Sequence, residues 1–316
     1  MKNIEFTYVK AVAEEKSFSK ASKKLGISQP ALSTYISKLE KQWGVLLFDR
    51  SISPIEITEF GKYYLNYADE VIAATNKFEN IKSDLMDLKT GRIVLGSTSC
   101  FSTSFLPWSI AQFRKEYSGI YLDIIEGKAT VIQEKCLAGQ VDMFLSDACL
   151  DEDVFEKEIL FKERILMAVQ KNDEINQVIG KYAIPTEVIV NGTFDEKKYQ
   201  PIDLTLVKDK EFILLNEDQR VRQLVDELFK NSNVKPKVIM QVAQSTTGFS
   251  MAMENIGIAF VGESTIRYGN VKEHLNYYMV GKNDEMVRAL GVAYKRNKYI
   301  SNAGKKLIEQ FKKSYR

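Results

Sequence analysis

The chain has a single histidine, His274, among 316 residues. Unless His274 itself takes part, this scarcity excludes multi-histidine metal centres and nucleophile triads built on an imidazole base. Cysteine is nearly as rare. Cys100, Cys136 and Cys149 are odd in number and form no C-x-x-C pair, so a disulfide framework is not expected and a reducing cytoplasm suits them. No apolar run approaches the roughly 18 residues that a membrane span needs. The opening MKNIEFTYVKAVAEEKSF breaks its apolar residues with charge, unlike a signal peptide. A large charge of either sign is also missing: 44 Lys and Arg face 42 Asp and Glu, a formal net charge of +2. That balance argues against a protein coating nucleic acid along its whole surface, but leaves room for a local basic patch. What remains is a chain with 45% apolar residues, long enough for about two domains with cores of their own. The expectation is a soluble cytoplasmic protein with no membrane partner, no metal and no cofactor.

Residues 1–58 read as short helices followed by a small strand pair. Phe6, Val9, Val12 and Ala13 recur at helical spacing, and Phe18, Ala21 and Leu25 do so in a second segment that stops at Gly26. Ser28 caps a third helix with Pro30 in its first turn, and Leu32, Ile36, Leu39 and Trp43 form its apolar stripe. VLLFDR and IEIT, separated by SISP, look like two short strands. From Gly61 to Lys89 there is no Pro or Gly after the first residue, and a helix of that length spans about 44 Å. Tyr64, Ala68, Val71, Phe78 and Leu85 follow a 3.5-residue period, which predicts pairing with another helix or packing on the chain's own domain. From Gly91 onward apolar strands (RIVLGS, IYLDIIEG, VDMFLS, EVIV, EFILL, KVIMQVA, IGIAFV, ALGVAY) alternate with helical stretches, the pattern of parallel sheets with crossover helices. This part has the length for two α/β lobes. Residues 171–210 are irregular and polar.

The stretch SFSKASKKLGISQPALSTYISKLEKQWG is the strongest functional signal. Two helices are joined by LGIS, and Gly26 supplies the left-handed turn. With Leu32, Ile36 and Leu39 inward, Gln29, Pro30, Ser33, Thr34, Ser37 and Lys41 form an outward face of small and amide side chains that fits a major groove. Gln29 there can pair with adenine in two hydrogen bonds. Lys16, Lys20, Lys23, Lys24, Lys38 and Lys41 face only Glu40 within residues 16–41, an excess suited to phosphates. An ordinary helical hairpin with a solvated lysine face has the same spacing.

From its start to about residue 90 the sequence resembles a LysR-type transcriptional regulator. The resemblance rests on A-S-K-K-L-G-I-S-Q-P-A-L-S, then I-S-K-L-E, G-V-L-L-F-D-R, and I-T-E-F-G at the start of the long helix. It implies an α+β and α/β chain in three parts. A winged helix-turn-helix DNA-binding domain covers 1–58, a linker helix that dimerises covers 59–90, and an effector-binding domain with two α/β lobes of the periplasmic-binding-protein type covers 91–316. It also implies that Gln29, Pro30 and Ser33 touch base edges and that Arg50 touches the DNA backbone, with Thr34, Ser37, Lys38 and Lys41 completing the DNA-binding set. Two departures stand out. Thr34 replaces the family's usual arginine, and Ser53 and Glu56 stand where the wing commonly carries a basic residue. Both remove phosphate contacts.

After RIVLGS comes a run of hydroxyls around the start of a helix. Helix N-termini at the carboxyl ends of strands favour small anions and polar ligands. The candidate effector residues are Ser97, Thr98, Ser99, Phe101 and Ser102, with Ser146 from LSD and Gln244, Ser245 and Thr246 from AQSTTG. Plain helix capping is the competing reading of each hydroxyl. Cys100, inside the run, is either a redox-sensing thiol or a buried spectator. Asp151, Glu152 and Asp153 read as a solvated loop, and Arg220 or Arg222 either reaches into the cleft or pairs with Glu217 or Asp218.

These readings converge on a sequence-specific DNA-binding regulator modulated by a small anionic or polar effector. Its partners are double-stranded DNA and further copies of itself, as a homodimer through the linker helix or a homotetramer. It is expected not to be an enzyme. The alternative is an enzyme on a similar α/β scaffold using carboxylate or lysine chemistry; the near absence of His, of a phosphate-cradling glycine loop and of a G-x-S-x-G elbow stands against it.

Overall fold

The computed structural model describes residues 4–85, 91–269 and 274–315. Their contacts group the residues up to Lys82, together with Leu137–Gln140, into one compact unit and the rest into a second.

The first unit holds α1 (Ile4–Glu15), α2 (Phe18–Leu25), α3 (Gln29–Trp43), β1 (Phe48–Asp49), β2 (Glu56–Ile57) and most of α4 (Glu59–Leu85). Its core is the one the spacing predicts: Phe6, Val9, Val12, Phe18, Ala21, Leu32, Ile36 and Leu39 are buried together. Local signals set the ends of the helices. The Ser17 hydroxyl caps α2 by accepting from the Lys20 N–H, and the Ser28 hydroxyl caps α3 by accepting from the Ala31 N–H. Gly26 ends α2 at φ 68°, a left-handed conformation that a side chain would strain. Gly61 is required for a different reason. A β-carbon there would lie 2.3 Å from the Leu47 carbonyl oxygen, so α4 could not approach the wing as closely.

Two expectations shift here. Trp43 belongs to the α3 stripe but is 48% exposed, because it lies at the last turn and meets Phe60 and Tyr64 only along one side. The stripe on α4 divides in two. Tyr64 and Ala68 are buried in the first unit's core and Val71 is half-buried against it, whereas Phe78 is 67% exposed. Packing on the chain's own domain therefore holds for Tyr64, Ala68 and Val71, and pairing with another helix concerns only the exposed stretch at Phe78. The Leu85 side chain and the expected helix end near residue 89 lie outside the described residues.

The second unit begins with a parallel set, β3 (Gly91–Ser97), β4 (Ile120–Glu126) and β5 (Met143–Ser146), linked through α5 (Ser99–Thr103), α6 (Phe105–Glu116) and α7 (Ala129–Leu137). β6 (Phe155–Gln170) then runs from this lobe into a second one. The second lobe contains α8 (Asn176–Ile179), β7 (Ala183–Ile184), α9 (Thr186–Val190), β8 (Glu211–Leu215), α10 (Arg220–Asn231), β9 (Lys237–Val242), α11 (Ser245–Met253), β10 (Ala259–Gly262), α12 (Glu263–Tyr268) and β11 (Leu275–Met279). β12 (Val287–Lys295) returns beside β6, and α13 (Asn302–Ser314) closes the first lobe. The large sheet is ordered β4-β3-β5-β12-β6-β11-β7, with β10 also on β6. Each lobe has its own core, around Phe105, Phe113 and Phe311 in one and Phe212, Phe229 and Phe260 in the other.

The alternation predicted parallel sheets, and β3, β4 and β5 and the β8–β9 pair are parallel. The strands that join the lobes are antiparallel, so the sheet is mixed. EVIV is not a strand but the short helix α9. Its three apolar residues, Val188, Ile189 and Val190, fit either period, and Pro185, immediately before α9, has φ fixed at −58° and starts a turn. β6 and β11 carry no clear sequence signal. In β6 the charges of Glu156, Lys157, Glu158, Lys162, Glu163 and Arg164 interrupt the apolar run.

Candidate DNA-reading face and effector cleft

On α3, Gln29, Pro30, Thr34, Ser37, Lys38 and Lys41 are exposed and Ser33 is half-buried, so the expected reading face is continuous. Sequence reasoning left two exposed members out, Ala31 and Tyr35. Tyr35 is held edge-on against Tyr8 with ring centroids 5.0 Å apart. The lysines are not equivalent. Lys24 is tied to Glu14 at 2.8 Å and Glu15 at 3.3 Å, whereas Lys16, Lys20, Lys23, Lys38 and Lys41 have no ion-pair partner among the described residues.

Arg50 is more committed than a free phosphate ligand. Its guanidinium donates to the Glu40 carboxylate at 2.7 Å and to the Ser37 hydroxyl at 3.2 Å, and lies 4.9 Å from the centre of the Phe18 ring. Glu40 is itself buried and accepts from the backbone N–H groups of Leu47 and Phe48. One carboxylate thus joins the last turns of α3 to the first strand of the wing.

In the second unit a cavity of about 240 Å³ opens between the lobes. Thr98, Phe101, Gln244 and Ser245 line it as expected. Ser97, Ser99, Ser102, Ser146 and Thr246 do not. Ser97 is fully buried and donates to the Thr98 carbonyl, the Ser146 hydroxyl accepts from the Ala148 N–H, and the Ser102 hydroxyl is buried. The Ser99 carbonyl is taken by Thr103, and the Thr246 carbonyl by Ser250. Alternation along strands and helices turns every second or third hydroxyl of such a run away from the cavity.

The larger omission was two cations, Lys128 just before α7 and Arg288 on β12, which face the cavity together with Arg220 at the start of α10, one of the two arginines offered for it. Arg288 is buried, donates to Glu163 at 2.7 Å and to Asp147 at 2.8 Å, and lies 5.1 Å from the centre of the Phe101 ring. Burial opposes its charge, but Glu163 and Asp147 outweigh that and keep it protonated. The Arg220/Arg222 question also resolves. Arg222 turns back to Asp226 at 2.8 Å, the Leu215 carbonyl and, at 3.9 Å, the expected Glu217, whereas Arg220 faces the cavity with no ion-pair partner among the described residues. Helices α10 and α11 both start at the cavity, and the side chains of their capping residues Gln219 and Gln244 make no cap hydrogen bond. The Cys100 thiol is buried against the hydroxyls of Ser245, at 3.1 Å, and Thr265. No group of acids, Cys or His among the described residues is arranged to hold a metal ion, and no described helix is long and apolar enough to cross a membrane.

Comparison with known families decides what these two units are. Residues 5–62 match the bacterial regulatory helix-turn-helix protein family named for LysR, and residues 87–316 match the LysR substrate binding domain. The chain belongs to the LysR family of transcriptional regulators. Among its relatives is a probable RuBisCO transcriptional regulator of Trieres chinensis, 26% identical over 82% of this chain and 79% of the relative. Another of that name, from Synechocystis, is 25% identical over 98% of this chain and 87% of the relative. Among solved structures, full-length CbnR complexed with its target DNA superposes with a TM-score of 0.68 at 18% identity, covering 99% of this chain and 100% of that one. Full-length BenM gives 0.55 at 20% identity over 100% and 97%. This LysR-family regulator thus carries the expected DNA-binding head and an effector-type domain of two lobes.

Proposed function

We propose that this regulator recognises its operator through the exposed face of α3 and that a small anionic effector in the interlobe cavity alters how it engages that DNA. The observation that carries the effector reading is the convergence on one cavity of two uncommitted cations, Lys128 and Arg220, with the N-termini of α10 and α11. Unsatisfied N–H groups and the helix dipole both favour negative charge there. The three-part division at about residues 58 and 90 fits the separate head core and the two-lobed unit. Exposed Phe78 and Ile81 on α4 support a homodimer through that helix, as apolar residues at helical spacing on a free face. Pairing of such dimers into a tetramer completes the proposal. Ligand control requires the effector to bind two arrangements of the oligomer with different affinity.

The experiment is a thermal-shift screen of small carboxylates, phosphates, neutral sugars and amines against the full chain. An anion at 100 times its Kd adds about 2.7 kcal/mol of stability. That gain should shrink in Arg220→Ala and Lys128→Ala. A response confined to amines or neutral compounds would overturn the anionic reading.

A further inference from the structure

Helix α3 turns about 100° per residue, which sorts its exposed side chains by direction. Thr34 and Lys41 lie opposite the buried stripe of Leu32, Ile36 and Leu39. Ser33 and Ser37 turn to one side of that line, where the Ser37 hydroxyl accepts from Arg50 of the wing. Ala31, Tyr35 and Lys38 turn to the other side, where the Tyr35 ring meets α1. A helix seated in a major groove points its outermost residues at base edges and its two flanks at the phosphate walls. The wing flank has Arg50 for its wall. The opposite flank has Lys38 and, one turn before it, Tyr35.

Tyr35 does not fit an ordinary solvated face. Its ring is 37% exposed, an aromatic side chain left in water. Its hydroxyl has no partner among the described residues. Yet the ring is not loose. Tyr8 of α1 meets it at 78°, and Tyr8 itself packs half-buried on the head's core. The result is an unpaired donor at the tip of a positioned ring. Burial and then Glu5 push its pKa up, so the phenol keeps its proton. A donor ordered before contact loses less freedom on binding. It also stands next to Thr34, where the family's usual arginine is missing.

We propose that Tyr35 is a DNA-positioning residue, whose hydroxyl donates to a phosphate on the groove wall opposite the wing, beside the phosphate that Lys38 neutralises. This rests on the reading of α3 as the DNA-facing helix. Phosphates are alike at every base step, so Tyr35 adds affinity and fixes the helix in the groove without choosing a base. As a neutral donor it displaces no counterion.

The test uses the full chain and an operator selected from random duplex DNA. Tyr35→Phe keeps the ring against Tyr8 and should melt with the parent. Its affinity should fall about three- to tenfold, by the same factor on the operator and on single-base variants of it. The log-log salt slope should stay at the parent's value, whereas Lys38→Ala lowers it. The operator is then made with a neutral methylphosphonate at one phosphate at a time. One position in each half-site should weaken the parent and have no further effect on Tyr35→Phe. Unchanged affinity, a loss confined to one base pair, or the same methylphosphonate profile for both proteins overturns the proposal. If Tyr35→Phe melts early, the profile still decides, because it compares positions within one protein. If Lys38→Ala is silent as well, the reading of α3 falls with it; if Lys38→Ala acts and Tyr35→Phe does not, only the role of Tyr35 falls.

Discussion

The buried carboxylate of Glu40 and the guanidinium of Arg50 meet at 2.7 Å and fasten the wing to the reading helix. Removing Glu40 leaves the Leu47 and Phe48 N–H groups and Arg50 without their acceptor. Glu40→Ala should therefore destabilise the head by about 2–4 kcal/mol, read as an earlier transition in chemical denaturation. Arg50→Lys keeps the charge but cannot hold Glu40 and Ser37 together, and should weaken operator binding with a smaller loss of stability. Equal losses from both variants in both measurements would refute the clamp.

The lysines of the head divide by their partners. Lys38→Ala or Lys41→Ala should each lower the salt dependence of DNA binding by about one unit of log-log slope. Lys24→Ala should change it much less, because Glu14 and Glu15 already compensate that charge. Affinity measured between low and moderate salt checks this, and an equal drop for Lys24→Ala would contradict it.

Phe78 and Ile81 should act through association. Their double replacement by Asp should convert the oligomer to monomer in sedimentation velocity while preserving the helical signal. Val71 is a poor choice for this test, since it packs half-buried on the head's own core. An unchanged mass would show that the exposed stretch of α4 faces something other than a second copy.

Glu263 supplies a pH dependence. Burial raises its pKa to about 7, with Glu163 adding to the rise and the Arg164 N–H and nearby arginines opposing it. The folded chain therefore holds a proton that the unfolded chain releases between about pH 4.5 and 7. This group's contribution to stability falls as pH rises through that window and is flat above it. Glu263→Gln keeps an oxygen to accept from Arg164 and should melt higher than the parent at pH 8, by roughly 1–3 kcal/mol, with little difference near pH 5. A lower melting point at pH 8 would contradict the sign.

The head was largely legible because local rules govern it. Ser28, Pro30 and Gly26 mark helix ends through their own backbone chemistry, and Leu32, Ile36 and Leu39 share one face by spacing alone. The interlobe cavity was legible only in outline. Strand ends located Thr98, Gln244 and Ser245, but which hydroxyls turn inward depends on packing that spacing does not set. Arg288 could not be read at all, since Glu163 lies 125 residues away in sequence. β6 was hidden by charges that are satisfied only once the lobes form: Arg164 by Glu196 and Glu163 by Arg288.

The most direct test of the central claim is selection of binding sites from random duplex DNA by the full chain and by Gln29→Ala. The parent should yield a partly palindromic consensus, with half-sites about 34–36 Å apart or at multiples of that distance. Gln29→Ala should lose preference at one symmetry-related position in each half-site and bind the parent consensus more weakly by about 1–3 kcal/mol. A parent selection with no consensus, or an identical consensus and affinity for Gln29→Ala, would contradict the assignment of α3 as the element that reads the operator.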